Sequence, residues 1–199
     1  MAETHTPPSY NFQLRGLLLS CVPACLFPLL FLPGCAPQVP ATTAAIAYTP
    51  SHDGTIRYRL PSGWFEVTPD SIEADRAVWL VRDDYAGSLT VRRVHVDGVD
   101  RADLGGEGLL QVAKLTAALE TSTKPGILAH EPDRTQVNGR DAVAYDVEYS
   151  GSGDRTRTVL LESGGRIYAV TALVNGGAPP DAGREIFSVL QSFLAAMRM

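Results

Sequence analysis

Three cysteines, Cys21, Cys25 and Cys35, fall in the first 35 of 199 residues, and none follows. A thiol can serve as nucleophile, metal ligand, disulfide half or acceptor of a modification, and its neighbours discriminate among these. Cys21 and Cys25 are spaced like a redox or metal pair, but no His or further Cys stands near them. They read as small apolar residues inside a hydrophobic run. Cys35 ends that run, in Leu32-Pro33-Gly34-Cys35. Beyond it there is no G-x-S-x-G, no H-E-x-x-H and no further thiol. His52, His95 and His130 are scattered. Asp83-Asp84 reads as a turn, because Ca²⁺ takes six to eight oxygens. Gly105-Gly106-Glu107-Gly108 precedes a predicted helix but lacks the Lys of a phosphate loop, and Glu107 would repel phosphate. Arg92-Arg93, with Arg101 close in sequence, read as solvated charges, and Trp64 and Trp79 as core. No catalytic, cofactor-binding or metal-binding residue is assigned.

The segment that positions Cys35 is a short leader. Met1 to Arg15 is polar with a single Arg, and Leu17 to Leu32 is almost wholly apolar. Sixteen residues are at or below the length that crosses a hydrocarbon core of ~30 Å. Pro23, Pro28 and Pro33 each remove a backbone donor, which weakens a permanent spanning helix. A short apolar run behind a basic head reads as a secretory signal. Its end resembles the bacterial lipobox: an aliphatic residue, a small residue at Gly34, then Cys35. The resemblance implies cleavage between Gly34 and Cys35, a thioether diacylglycerol on Cys35 and often a further acyl chain on the new amine. Two or more chains anchor stably, at ~0.8 kcal/mol per buried CH₂. Ala36 stands where an Asp retains many lipoproteins on an inner membrane, which points to an outer membrane where there is one.

The net charge is −5, and Glu3 and Arg15 cancel within the leader, so the processed chain keeps that charge. An acidic balance argues against nucleic acid, which needs a basic face. It also argues against electrostatic docking as the source of membrane attachment. Residues 35–53 contain three prolines and few charges and read as an extended or flexible tether. It spans ~25 Å r.m.s.. Residues 54–199 are enough for one domain with one core.

That domain reads as strands at Thr55–Leu60, Trp64–Val67, Ala77–Arg82 and Ser88–Val96. The parity of apolar residues in the fourth strand switches at Arg92-Arg93, which predicts a β-bulge there. A helix over Leu109–Ser122 is predicted to bury Leu109, Val112, Leu115 or Thr116, and Leu119, with Glu120 off the stripe. Ile127–Val137 is a strand region broken at Pro132. Asn138-Gly139 predicts a type I′ hairpin. Val143, Tyr145, Val147 and Tyr149 then alternate with polar residues, Thr156–Glu162 pairs back, and Gly164-Gly165 turns again. Arg166–Val174 is apolar on both faces, hence central. A last helix opens near Asp181, a candidate N-cap, and buries Ile186, Val189, Leu190, Phe193 and Met197. The order β-β-β-β-α-β-β-β-β-α with a largely antiparallel sheet predicts an α+β sandwich.

Tyr58-Arg59-Leu60-Pro61-Ser62-Gly63-Trp64 resembles the Y-x-x-P-x-G-W opening of the PsbP-like family. Asn138-Gly139-Arg140, the alternating Tyr strand, Arg166-Ile167-Tyr168 and the terminal helix ending at Ser192-Phe193 extend the resemblance over Thr55 to Leu194. It implies a central antiparallel sheet flanked by helices on both sides, an α/β/α sandwich. It does not imply one function: members stabilise photosystem II, bind a small GTPase or sit on cell envelopes. The expectation is a lipid-anchored envelope protein, not an enzyme, whose domain binds or stabilises a membrane-proximal protein complex on the extracytoplasmic side. The alternative is a small molecule, lipid or glycan bound in a cleft between sheet and helix, which a pocket of ~300 Å³ or more would favour. An unrecognised enzyme is the third reading. No cofactor is implied.

Overall fold

A computed structural model describes residues 47–68, 75–95 and 106–199. The leader, the Gly34–Cys35 junction and the tether up to residue 46 lie outside the described residues, as do Val96, Arg101 and Gly105. The described chain runs β1 (Thr49–Pro50), β2 (Arg57–Tyr58), β3 (Trp64–Glu66), β4 (Arg76–Arg82), β5 (Gly87–Val94), α1 (Gly106–Thr123), β6 (Gly126–Val137), β7 (Arg140–Tyr149), β8 (Arg155–Ser163), β9 (Arg166–Val174) and α2 (Ala182–Ala196).

Seven strands form one antiparallel sheet in the order β3-β4-β5-β9-β8-β7-β6. Local chemistry closes its hairpins. Asn138 (φ 54°) and Gly139 (φ 74°) both adopt the left-handed conformation that a type I′ turn needs, and that turn matches the twist of β6 and β7. Gly164 and Gly165 do the same between β8 and β9. β9 is the middle strand of seven; Tyr168, Val170, Ala172 and Val174 are buried on its α2 side, while on its α1 side Ile167 and Ala169 are buried and Thr171 and Leu173 only half-buried.

Strand parity sends side chains to two separate cores. On one face Val143, Tyr145, Val147, Leu160 and Ile167 meet Leu109, Val112, Ala113 and Ala117 of α1. On the other, Leu80, Leu89, Val91, Val170 and Ala172 meet Ile186, Leu190 and Phe193 of α2. This is the expected α+β sandwich with a helix on each side. The helices are offset diagonally: α1 lies over β6, β7 and β8, whereas α2 packs against β9 and β5. Among the described residues, each helix therefore leaves the other half of its own face uncovered.

Several local expectations change. A short strand, β1, precedes the predicted ones; Thr49 pairs with Tyr58 and Pro50 with Arg57, so five strands rather than four come before α1. The bulge lies in β4, not β5. β5 pairs with β9 in unbroken register from Gly87 to Val94, and the shift falls between Arg76 and Val78. Ala77 is the extra residue, which lets Ala77 and Val78 both turn to the core. β6 runs as one strand through Pro132. Its register shifts between Leu128 and Asp133 accommodate Pro132, which an edge strand tolerates because it needs no donor there. Asp181 occupies the N-cap position of α2 with helical backbone angles, and its side chain makes no capping hydrogen bond.

The inward stripe of α1 also differs. Leu115 and Leu119 are 69% and 65% exposed, and Ala113 and Ala117 take the contact. Methyl groups let the helix axis approach the sheet closely, while the leucines lie about 40° apart in azimuth on a flank beyond it. Sequence periodicity favoured the larger side chains, and packing selected the smaller ones.

Candidate functional site

The uncovered half of the α1 face is a trough of about 900 Å³. β5, β9 and β8 supply its floor, where alternate residues of each strand point outward: Ser88 and Thr90, Ala169 and Thr171, Thr156 and Thr158. Thr158 and Thr171 are paired by register, and their hydroxyls hydrogen-bond at 3.0 Å. One wall is α1, through Thr116, Leu119, Glu120 and Thr123. The other is the outward side of β4, where the Arg76 guanidinium lies 4.5 Å from the Trp79 ring centroid. Trp79 is thus a half-buried wall residue rather than core, whereas Trp64 is core as expected.

Glu120 organises the helix side of the trough. Its carboxylate accepts hydrogen bonds from the Tyr145 hydroxyl at 3.0 Å, from the Thr156 hydroxyl at 3.2 Å and from the Tyr149 hydroxyl. Burial raises both tyrosine hydroxyls above their ordinary value of 10.0, and the Glu120 carboxylate raises them further. Both therefore remain protonated donors across neutral pH. Lys124 lies 5.7 Å from the Tyr149 ring centroid and adds a cation at the rim. The arrangement is a rigid polar corner beside an open, partly apolar floor. Such a surface can orient a bound group.

Glu120 escaped the sequence reading, which placed it off the buried stripe. The available signal was electrostatic. It lies in the final turns of α1, where the helix dipole disfavours an acid, and the last turn carries no basic residue. A carboxylate placed there needs donors from elsewhere, and β7 and β8 provide them.

The second uncovered quadrant, on the α2 face over β6 to β8, holds a smaller hollow of about 520 Å³. Its base is a bidentate ion pair, Arg157 Nε to Asp146 Oδ1 at 2.8 Å and Nη2 to Oδ2 at 2.7 Å. The hydrogen-bonded Asp146 holds the guanidinium above its ordinary pKa, and the guanidinium also lies 4.6 Å from the Phe187 ring of α2. That geometry fixes helix to sheet and leaves little donor capacity for a ligand.

Arg92 and Arg93, read from the sequence as solvated charges, line the trough on the β5 side. The other sequence candidates do not converge. His95 pairs with Asp75 at 2.6 Å, His52 is exposed, and His130 borders the smaller hollow. Asp84 accepts from the Ala86 amide at 3.0 Å and from Arg82 at 3.2 Å, which is turn chemistry. Gly106 and Gly108 already belong to α1, and Glu107 pairs with Arg134. Among the described residues, no three His, Cys, Asp or Glu side chains come together as metal ligands, and no helix is long and apolar enough to cross a membrane.

No family model and no curated protein matches this chain. Solved structures do. The cyanobacterial PsbP protein CyanoP of Synechocystis superposes with a TM-score of 0.52 at 12% identity, over 86% of this chain and 99% of that one. The Ran-binding protein Mog1p of Saccharomyces cerevisiae superposes with a TM-score of 0.54 at 14% identity, over 76% and 94%. LpqN of Mycobacterium tuberculosis, involved in cell envelope biogenesis, gives 0.49 at 18% identity, over 76% and 89%. At these identities the likeness to CyanoP and Mog1p is one of fold, and it is the PsbP-like fold expected from the sequence motifs.

Proposed function

We propose that this protein is a lipid-anchored component of the cell envelope. In this reading Cys35 carries the lipid after cleavage at Gly34, and the domain is a non-catalytic binding module on the extracytoplasmic side. The trough between α1 and β4 is its binding face. The observation that carries this is the offset of the two helices, which leaves β5 and β9 covered on one side and open on the other. A partner that belongs to a membrane-proximal protein complex is the occupant favoured here. A Ran-binding protein built on the same fold supports protein recognition as a use this sheet can serve. The size of the trough favours a second reading, a small molecule, lipid or glycan, because about 900 Å³ lies within the ~300–1,000 Å³ of ligand sites.

Two experiments test these readings. Radiolabelled palmitate should enter the wild-type chain and not a Cys35→Ala variant; equal labelling of both removes the anchor. A photo-crosslinking residue placed at Thr90, on the trough floor, should capture a protein in living cells. Failure to capture any protein, with a small ligand released on denaturing the purified chain, would favour the second reading. Neither adduct nor ligand would remove the trough as the binding face.

A further inference from the structure

The point where the tether joins the domain carries an uncommon concentration of positive charge. β1 and β2 form a small ladder, and Arg57 of β2 pairs on its free side with Arg198, through Arg57 N–H to Arg198 O and Arg198 N–H to Arg57 O, both at 2.8 Å. Residues directly opposed in an antiparallel pair project to the same face. Arg59, just past the end of β2 and two residues on from Arg57, projects there too. Tyr48 fills the space between them: its ring centroid lies 5.0 Å from the Arg59 guanidinium and 4.3 Å from that of Arg198, and its hydroxyl accepts from Arg59 Nη2 at 3.3 Å. The opposite face of β2 is core, since Ile56 and Tyr58 are fully buried and Tyr58 packs 5.6 Å from Phe193.

Like charges set directly opposite destabilise a strand pair. Here Arg57 and Arg198 are so placed, and among the described residues none of the three arginines has an ion-pair partner. This stands out on a chain whose net charge is −5. Pro50, directly opposite Arg57 in β1, is exposed on the same face.

Chain length says what this face meets. Eleven residues separate Cys35 from Ala47, where the described domain begins beside Tyr48. Such a segment reaches at most about 40 Å fully extended and about 20 Å as a flexible coil. A lipid on Cys35 would therefore hold this face of the domain close to phosphate headgroups.

We infer that the Arg57–Arg59–Arg198 face around Tyr48 docks on the anionic lipid surface in which Cys35 is anchored. This rests on the anchoring reading above. The net charge argues against electrostatics as the anchor, and here the lipid supplies attachment while the arginines supply orientation. Docking in this pose turns the α2 side of the sheet toward the membrane and leaves the trough, on the α1 side, open to a partner.

The test uses the full chain, purified from membranes and reconstituted into phosphatidylethanolamine vesicles with or without phosphatidylglycerol. Mass spectrometry of the N-terminal peptide decides separately whether Cys35 is acylated. A solvatochromic maleimide on Pro50→Cys should shift to the blue and be quenched by brominated lipid in the phosphatidylglycerol vesicles. The same probe on Thr90→Cys, across the sheet, should stay aqueous. Arg57→Gln with Arg198→Gln, both at exposed positions, should lower the docking constant about 25-fold, since each cation near an anionic surface contributes roughly five-fold. A far-ultraviolet spectrum matching the wild type shows that this variant folds. An acylated chain whose Pro50 probe is as aqueous as the Thr90 probe overturns the docking face and leaves the anchor standing. A Pro50 probe shielded in native membranes but aqueous on pure lipid overturns it in favour of an acidic protein. An unacylated chain that does not stay with the vesicles overturns both.

Discussion

The Glu120 carboxylate of α1 accepts the Tyr145 hydroxyl of β7 at 3.0 Å, and this bond ties the C-terminal end of the helix to the sheet at the edge of the trough. Tyr149 and Thr156 donate to the same carboxylate, so three strand hydroxyls depend on one helix residue. The corner at the edge of the trough is also what holds α1 in place there.

Glu120→Ala is expected to destabilise the domain by about 1–3 kcal/mol, the range for leaving partly buried polar groups without partners. Glu120→Gln keeps one acceptor oxygen and should cost less. Urea denaturation of both variants checks the order. Equal stability of all three proteins would mean that water replaces the carboxylate without loss.

The same corner sets an alkaline limit. In the folded state the hydroxyls of Tyr145 and Tyr149 hold their protons above the ordinary value of 10.0, first through burial and then through Glu120. A raised folded-state pKa means that stability is full below about pH 10 and falls as pH rises beyond it, where the unfolded chain loses protons that the folded chain retains. Thermal unfolding between pH 8 and about 12 should show this decline. Tyr145→Phe with Tyr149→Phe should flatten it.

Gly87 opens β5 where the strand meets both β9 and α2. A Cβ there would lie 2.3 Å from the Leu173 carbonyl oxygen and 2.6 Å from Ile186 Cδ1. Gly87→Ala should cost about 1–3 kcal/mol through overpacking, because the backbone oxygen cannot move aside. Gly177→Ala, with open space around it, is the matched control. Chemical denaturation of the two variants should separate them clearly.

Leu119 separates binding from stability. It lines the trough and is exposed, so Leu119→Ser should change folding stability by no more than about 0.5 kcal/mol. Capture of the partner from the crosslinking position at Thr90 should nevertheless drop several-fold. Undiminished capture would exclude the helix wall from the binding face.

Much of the architecture was legible because it rests on local rules. The Asn138-Gly139 and Gly164-Gly165 turns follow from which residues tolerate positive φ. The central place of β9 follows from apolar residues on both of its faces. Errors came where two elements choose between equivalent local solutions. Leu115 and Leu119 satisfy a helical period as well as Ala113 and Ala117 do, and only the distance to the sheet decides for alanine. Ala77 rather than Arg92 carries the bulge because β9 holds β5 in register from the far side. Trp79 reads as core in a strand apolar on both faces, yet one of those faces is left bare.

By itself, then, the sequence determined the order of the helices and of every strand but β1, and the PsbP-like sandwich, and it is the ground on which the Gly34-Cys35 junction is proposed as a lipobox. These depend on residue type, spacing and turn chemistry, which are properties of neighbours along the chain. Tertiary structure alone decided that the helices sit offset on opposite faces. That offset opens the trough, aims Glu120 at Tyr145, Tyr149 and Thr156, and sets Arg57 opposite Arg198 beside Tyr48. Each of these joins residues far apart in sequence, and no local propensity encodes such a distance: it is fixed only when the two cores pack at once on one shared sheet.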